Sequence, residues 1–230
     1  MTLTRRVGLP IALALLLGGC GDATAPLAPP HALSPSADLE SWSGAAGGSN
    51  SGSWRQPWSA GLPTLRQAPT APPLETYHLS FVVSRWHAST VTVNYLPSGD
   101  ARVGQPFLSL YIPKTGLVAG ANGAPLEKND SLTITLTIDP VTFDVDFQPS
   151  GVLFSTTTPA LLTLWYENAN PDCNGDGVVD SADQALLQRL TFYYQVAGGA
   201  TWVKQPSKND PTMPSVTSAL YHFSEYAVSW

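Results

Sequence analysis

The chain has 230 residues, 43% of them hydrophobic and only 12% charged, with a formal net charge of −6. That is enough apolar material for a core, and it excludes a wholly disordered chain. Eleven Lys and Arg scattered along the sequence give no cationic stripe, which argues against nucleic acid as a partner.

Arg5 and Arg6 precede an apolar run, Val7 to Leu17, that is interrupted by Pro10 and ends in Leu17-Gly18-Gly19-Cys20. A stretch of 11 residues is too short for a hydrocarbon layer that takes about 20 helical residues to span. The arrangement is that of an export signal. Leu-Gly-Gly-Cys resembles the bacterial lipobox. The resemblance implies that residues 1–19 are a signal peptide, that Cys20 is the lipidation site and mature N-terminus, and that its acyl chains anchor the protein to a membrane. Gly21 follows in place of the Asp of inner-membrane retention signals, which favours the outer membrane or cell surface. Loss of Arg5 and Arg6 takes the charge from −6 to −8. Cys173 is then a lone thiol, so the fold stands without an intramolecular disulfide.

From Gly21 to Glu75, Pro, Gly, Ser and Ala supply 33 of 55 residues, with no sustained apolar period. Residues 20–75 are expected to form a flexible tether, since such a segment buries too little apolar area to offset its ordering entropy. Trp42, Trp54 and Trp58 within it are either incidental or dock on a surface through their rings.

After Thr76 the pattern turns to period two, the mark of strands with one buried face. Leu132, Ile134, Leu136 and Ile138 alternate with threonines, and Val141, Phe143, Val145 and Phe147 alternate with Thr142, Asp144 and Asp146. On that alternation the two aspartates lie on a solvated outer face. Weaker copies run through Tyr77–Val83, Val91–Tyr95, Leu108–Ile112, Leu162–Tyr166, Phe192–Tyr194, Val216–Leu220 and Tyr226–Trp230, with Pro-Ser-Gly and Asn-Gly turns between some of them. Eight or nine short strands over residues 76–230 predict an all-β fold, an antiparallel β-sandwich.

Between the sixth and seventh of these segments in chain order stands the one motif with explicit chemistry. Asp172, Asn174, Asp176, Asp180 and Asp183 place side-chain oxygens at loop positions 1, 3, 5, 9 and 12, with Gly177 at 6 and the carbonyl of Val178 at 7. That is calcium-loop spacing, and the glycine supplies the positive φ at which the chain wraps a small ion. Four carboxylates in 12 residues repel one another unless a hard cation neutralises them. The alternative is an acidic hairpin turning on Asn174-Gly175 or Asp176-Gly177. Val179 at position 8 is expected to pack away from the ion. A short helix should follow, with Ser181 as N-cap, Gln184 as its capping-box partner and an apolar stripe of Leu186, Leu187 and Leu190. The insertion spans residues 172–190. A single loop with Asp at position 12 is expected to hold calcium at about 10⁻⁴ to 10⁻³ M.

Three further likenesses follow from named residues. Leu110-Tyr-Ile-Pro113, Gln148 to Phe154, Pro159 to Tyr166, Tyr193-Tyr194, Trp202 and His222 to Tyr226 together look like the ZU-type sandwich of zonula occludens proteins, netrin receptors and ankyrins, which implies an interaction or structural module. The acidic loop with its exiting helix and Leu186, Leu187 and Arg189 resembles half of a dockerin repeat, with no second copy and only a partial match to the residues that meet cohesin. His222-Phe223-Ser224 has the sequence of the self-cleaving site of some ZU-type proteins, where the histidine assists the serine; a structural turn is the alternative. His31, His78 and His87 lack metal-ligand spacing, and no nucleophile elbow, P-loop or dinucleotide fingerprint occurs. The sequence therefore predicts a surface lipoprotein that is not an enzyme, with calcium as cofactor and an unidentified protein or glycan as partner. A glycan-binding or cohesin-binding role predicts a concave aromatic face that includes Trp86 or Trp165, or an exposed helix from Ser181 to Leu190.

Overall fold

The computed structural model describes residues 61–196 and 201–230. The signal peptide, Cys20 and the three tryptophans of the tether lie outside the described residues. Among those described, the elements are β1 (His78–Ser84), β2 (Ser89–Asn94), β3 (Pro106–Ile112), β4 (Leu117–Ala119), β5 (Ser131–Ile138), β6 (Val145–Gln148), β7 (Leu153–Phe154), β8 (Ala160–Trp165), α1 (Ser181–Leu187), β9 (Thr191–Gln195), β10 (Trp202–Gln205), β11 (Ser207–Asp210), β12 (Ser215–Leu220) and β13 (Glu225–Ser229).

Two antiparallel sheets share one core. The first has the order β1-β5-β6-β13-β9-β10 and the second β11-β12-β8-β3-β2, while β4 and β7 form a small third ladder. The alternation read from the sequence fixes which side of each strand is buried. On β5, Ile134, Leu136 and Ile138 face inward, and their register against β1 sets Leu136 beside Leu79 and Ile134 beside Phe81. On the opposing sheet Leu108, Leu110, Leu162, Leu164 and Val216 supply the other inner layer. Aromatic rings fill the space between: Phe147 stacks on Phe223 with centroids 4.8 Å apart, and Phe107 on Phe143 at 5.5 Å.

Two expectations need correction. The tether does not reach residue 75. Leu65 and Leu74 are core residues, Thr64 bridges Ser229, Arg66 bridges Thr142, and Leu74 bridges Tyr95. Composition hid this because a Pro-rich edge segment makes isolated bridges where a strand would show alternation. Second, the strand expected over 141–147 begins only at Val145. Before it, the Asp139 carboxylate accepts from the Val141 and Thr142 N–H groups and bends the chain, and the Phe143 N–H donates to Leu65 O. Asp144 is consequently fully buried, not on a solvated face, and Asp146 is half-buried. Strands β4, β7, β10 and β11 are too short to show a period and were not among those expected.

Candidate metal centre

The acidic loop crosses from one sheet to the other, leaving β8 in the second and delivering the chain through α1 to β9 in the first. Both of its ends are tied to the sandwich. Ala169 pairs with Gln67, Asn170 N–H donates to Arg66 O, and after the helix Asn209 Nδ2 donates to Leu187 O at 2.6 Å. Leu187 packs against the core with Leu186 half-buried beside it, whereas Leu190, expected on the same helix stripe, is buried beyond the helix, which ends at Leu187.

Within the loop the side-chain oxygens turn inward onto the backbone. Asp172 Oδ1 accepts from Gly175 N–H at 2.8 Å and Oδ2 from Gly177 N–H at 2.9 Å. Asn174 Oδ1 accepts from Asp176 N–H, and Asp176 Oδ1 from Val178 N–H. Gly177 sits at φ +86, the left-handed conformation for which position 6 needs glycine. Val179 departs from expectation: it is 60% exposed and not packed.

The helix is capped one residue earlier than the sequence suggested. Asp180, not Ser181, is the N-cap, accepting from Ala182 N–H, and Asp183, not Gln184, closes the box by accepting from Asp180 N–H. Both loop residues thus serve the helix as well. Asp183 does more, since its Oδ1 accepts from Cys173 N–H at 2.8 Å and Asn174 N–H at 3.1 Å, joining position 12 back to positions 2 and 3. It is 1% exposed, and the N–H groups of Asp180, Asn174 and Cys173 hold its carboxyl below the usual carboxylate range. Cys173 is half-buried between these acids. Burial, with Asp183 and Asp172 adding, pushes its thiol up to about 11.

The donor set is oxygen throughout: four carboxylates, the Asn174 amide and the Val178 carbonyl. That chemistry fits a hard cation such as calcium better than zinc or copper, which favour nitrogen and sulfur ligands. No three His, Cys, Asp or Glu side chains among the described residues are gathered closely enough to grip an ion by themselves. The residues that would hold calcium are Asp172, Asn174, Asp176, Val178, Asp180 and Asp183. Beside the loop, Arg66, Thr142, Asp172, Asn174 and Trp230 line an open cleft of about 410 Å³.

At the other candidate site, Phe223 is fully buried and its carbonyl oxygen accepts from Gly151 N–H at 2.8 Å and Ser150 Oγ at 3.4 Å, with His222 Nδ1 also at 3.4 Å. The Ser224 hydroxyl donates to Gln195 O, and Tyr226 Oη to His222 O. His222 therefore reaches the carbonyl of the peptide it would help to cleave, while the hydroxyl is engaged elsewhere. The two aromatics offered as alternatives for a binding face lie on different parts of the fold. Trp165 stands on the second sheet, and Trp86 in the β1–β2 turn, with the Lys114 and Lys128 ammonium groups each 5.9 Å from its ring centroid.

Sequence reasoning missed one acidic grouping. Glu225 on β13 is directly opposite Asp146 on β6, and Glu225 Oε1 is buried with no hydrogen-bond partner. Burial first, then Asp146 and Asp144, push the Glu225 carboxyl up to about 7. Pairing between strands is not visible in one strand's pattern, so no signal in the sequence joined these residues. Among the described residues no helix is long and apolar enough to cross a membrane. The chain matches no family model, no curated protein and no solved structure.

Proposed function

We propose that this chain is a bacterial surface lipoprotein: anchored through Cys20, spaced from the membrane by a tether that ends near residue 60, and presenting a calcium-stabilised sandwich as a non-catalytic interaction or structural module. The observation that carries the calcium part is the loop from Asp172 to Asp183, where an all-oxygen donor set at ion-binding spacing coincides with a positive-φ glycine at position 6. The anchor rests on Leu17-Gly18-Gly19-Cys20. In this reading the ion's chemistry is charge neutralisation. Asp172, Asp176, Asp180 and Asp183 crowd a 12-residue loop, and a divalent cation relieves their repulsion while the chain's own hydrogen bonds hold the loop's shape.

Calorimetric titration of the mature chain with calcium tests the site. The expected result is one binding event near 10⁻⁴ M, roughly, that vanishes in Asp176→Ala. No heat at millimolar calcium would defeat it. Mass analysis of the N-terminal peptide tests the anchor, with diacylglycerol on Cys20 expected and an unmodified cysteine contradicting it. The resemblance to half of a dockerin gives a cohesin-like partner as a variant of the same reading, supported by the exposure of Ser181, Ala182, Gln184 and Ala185 on α1.

A second reading is self-cleavage between Phe223 and Ser224. It is favoured by the donors around the Phe223 carbonyl oxygen, which would stabilise charge developing there. Intact mass decides it under denaturing conditions: two fragments support cleavage, and a single mature mass excludes it.

A further inference from the structure

The outer face of the second sheet combines accessible aromatics with a row of hydroxyls. Strands β2, β3, β8 and β12 contain no Asp, Glu, Lys or Arg, although the protein carries a net charge of −6. Charges return on the edge strand β11, where Lys208 lies opposite Thr217 and Asp210 opposite Ser215, so each bounds one end of a row. The first sheet, although uncharged on β1, β5 and β9, carries Asp146 and Glu225 side by side at its centre.

The register assembles the neutral face in rows. Tyr111 lies opposite Leu161, and each is 41% exposed. Two residues further along, Ser109, Thr163 and Thr217 align across three strands, with the Thr163 and Thr217 hydroxyl oxygens 2.9 Å apart. Trp165 follows two residues later on the same face, about 13 Å along β8 from Leu161. None of these side chains is buried by the rest of the described protein. The sequence of the face is thus an aromatic and a leucine, then a hydroxyl ladder, then an aromatic, over the length of a short oligosaccharide.

We infer that this face docks a neutral polysaccharide, with sugar-ring C–H faces on Tyr111 and Trp165 and sugar hydroxyls exchanging hydrogen bonds with the Ser109, Thr163 and Thr217 ladder. The complementarity is one of charge. An ionic partner finds no counter-charge on four adjacent strands, and an anionic one meets the protein's own negative field. A neutral ligand rich in hydroxyls loses nothing there, because each hydroxyl is both donor and acceptor and the ladder offers the same. A second copy of the chain is a poorer match: a stable dimer buries about 1,200–2,000 Å² around an apolar centre, and the centre of this face is a row of hydroxyls. The inference rests on the reading of the chain as a non-catalytic interaction module and names its partner class.

Affinity electrophoresis of the mature chain tests this in calcium-containing gels that carry laminarin, hydroxyethylcellulose or xylan, with alginate as the anionic comparison. The expected result is retardation in at least one neutral gel, weakened tenfold or more in Tyr111→Ala and Trp165→Ala and unchanged in Trp86→Ala. Ser109→Glu, which puts a charge on the face without removing an aromatic and has Thr92 and Thr163 as its cross-strand neighbours, should abolish retardation at an unaltered melting temperature. Absence of retardation in every neutral gel overturns the inference, as does retardation that Tyr111→Ala and Ser109→Glu leave intact, or a preference for alginate. Sedimentation showing a dimer that Ser109→Glu dissociates would overturn it in favour of self-association. The underlying reading fails separately, through release of new reducing ends from the glycan.

Discussion

Single positions carry obligations that their residue type does not announce. A Cβ at Gly104 would stand 1.7 Å from the Tyr95 carbonyl oxygen, so this glycine is required by backbone contact alone. Gly104→Ala is expected to destabilise the fold by about 2–3 kcal/mol, read from urea unfolding, because one strand end must move. Glu225 makes a prediction in pH. Its ordinary value is 4.5 and in the fold it rises to about 7, so between those values the folded chain holds a proton that the unfolded chain has released. Stability should therefore fall as pH rises from 4.5 through 7, with the penalty complete above that. Glu225→Gln should raise stability at pH 8 by about 1–3 kcal/mol, discounted for partial exposure, and flatten the slope between pH 5 and 8. An unchanged slope would mean that Glu225 is ionised in the fold. Asp144 shows why such residues were illegible: its alternation with Phe143 and Val145 marks a strand, yet an Asp139-centred bend places it inside.

At the scale of elements, the strands with four or more alternating residues were legible, and the pieces without a period were not. The helix was placed correctly by its leucines, but its cap was not, since Asp180 and Ser181 are both good N-caps and only the backbone distinguishes them. The loop's acids were assigned to an ion, and the structure also gives Asp180 and Asp183 to the helix. Asp180→Ala should thus cost about 0.5–2 kcal/mol even with chelator present, whereas Asp176→Ala, which gives up an exposed bond from Val178 N–H, should cost distinctly more in calcium than in chelator. Segment 61–75 reads as linker and packs as an edge. Leu65→Ala is expected to destabilise by about 2–5 kcal/mol, which a tether residue would not do. Cys173 reports on the same region. Its thiol is half-buried in the folded loop, so alkylation at pH 8 should be slow in calcium and at least about tenfold faster in chelator, as the loop opens and exposes the sulfur.

For the molecule as a whole, an all-β antiparallel sandwich was legible from alternation and turns, because both faces of its core come from period-two strands. Sheet order was not, since cross-strand partners such as Glu225 and Asp146 lie 79 positions apart in the chain. The acidic loop gains its importance at this scale. It carries the chain between sheets, so whatever orders it also fixes the crossing from β8 to β9. The most direct test is the melting temperature of the mature chain in about 10 mM calcium and then in chelator. Saturation at about 100 times the dissociation constant contributes about 2.7 kcal/mol, which for this size raises the midpoint by roughly 5–10 °C. That rise, lost in Asp176→Ala, is the expected result. Identical midpoints in calcium and chelator would contradict the claim that calcium organises this fold.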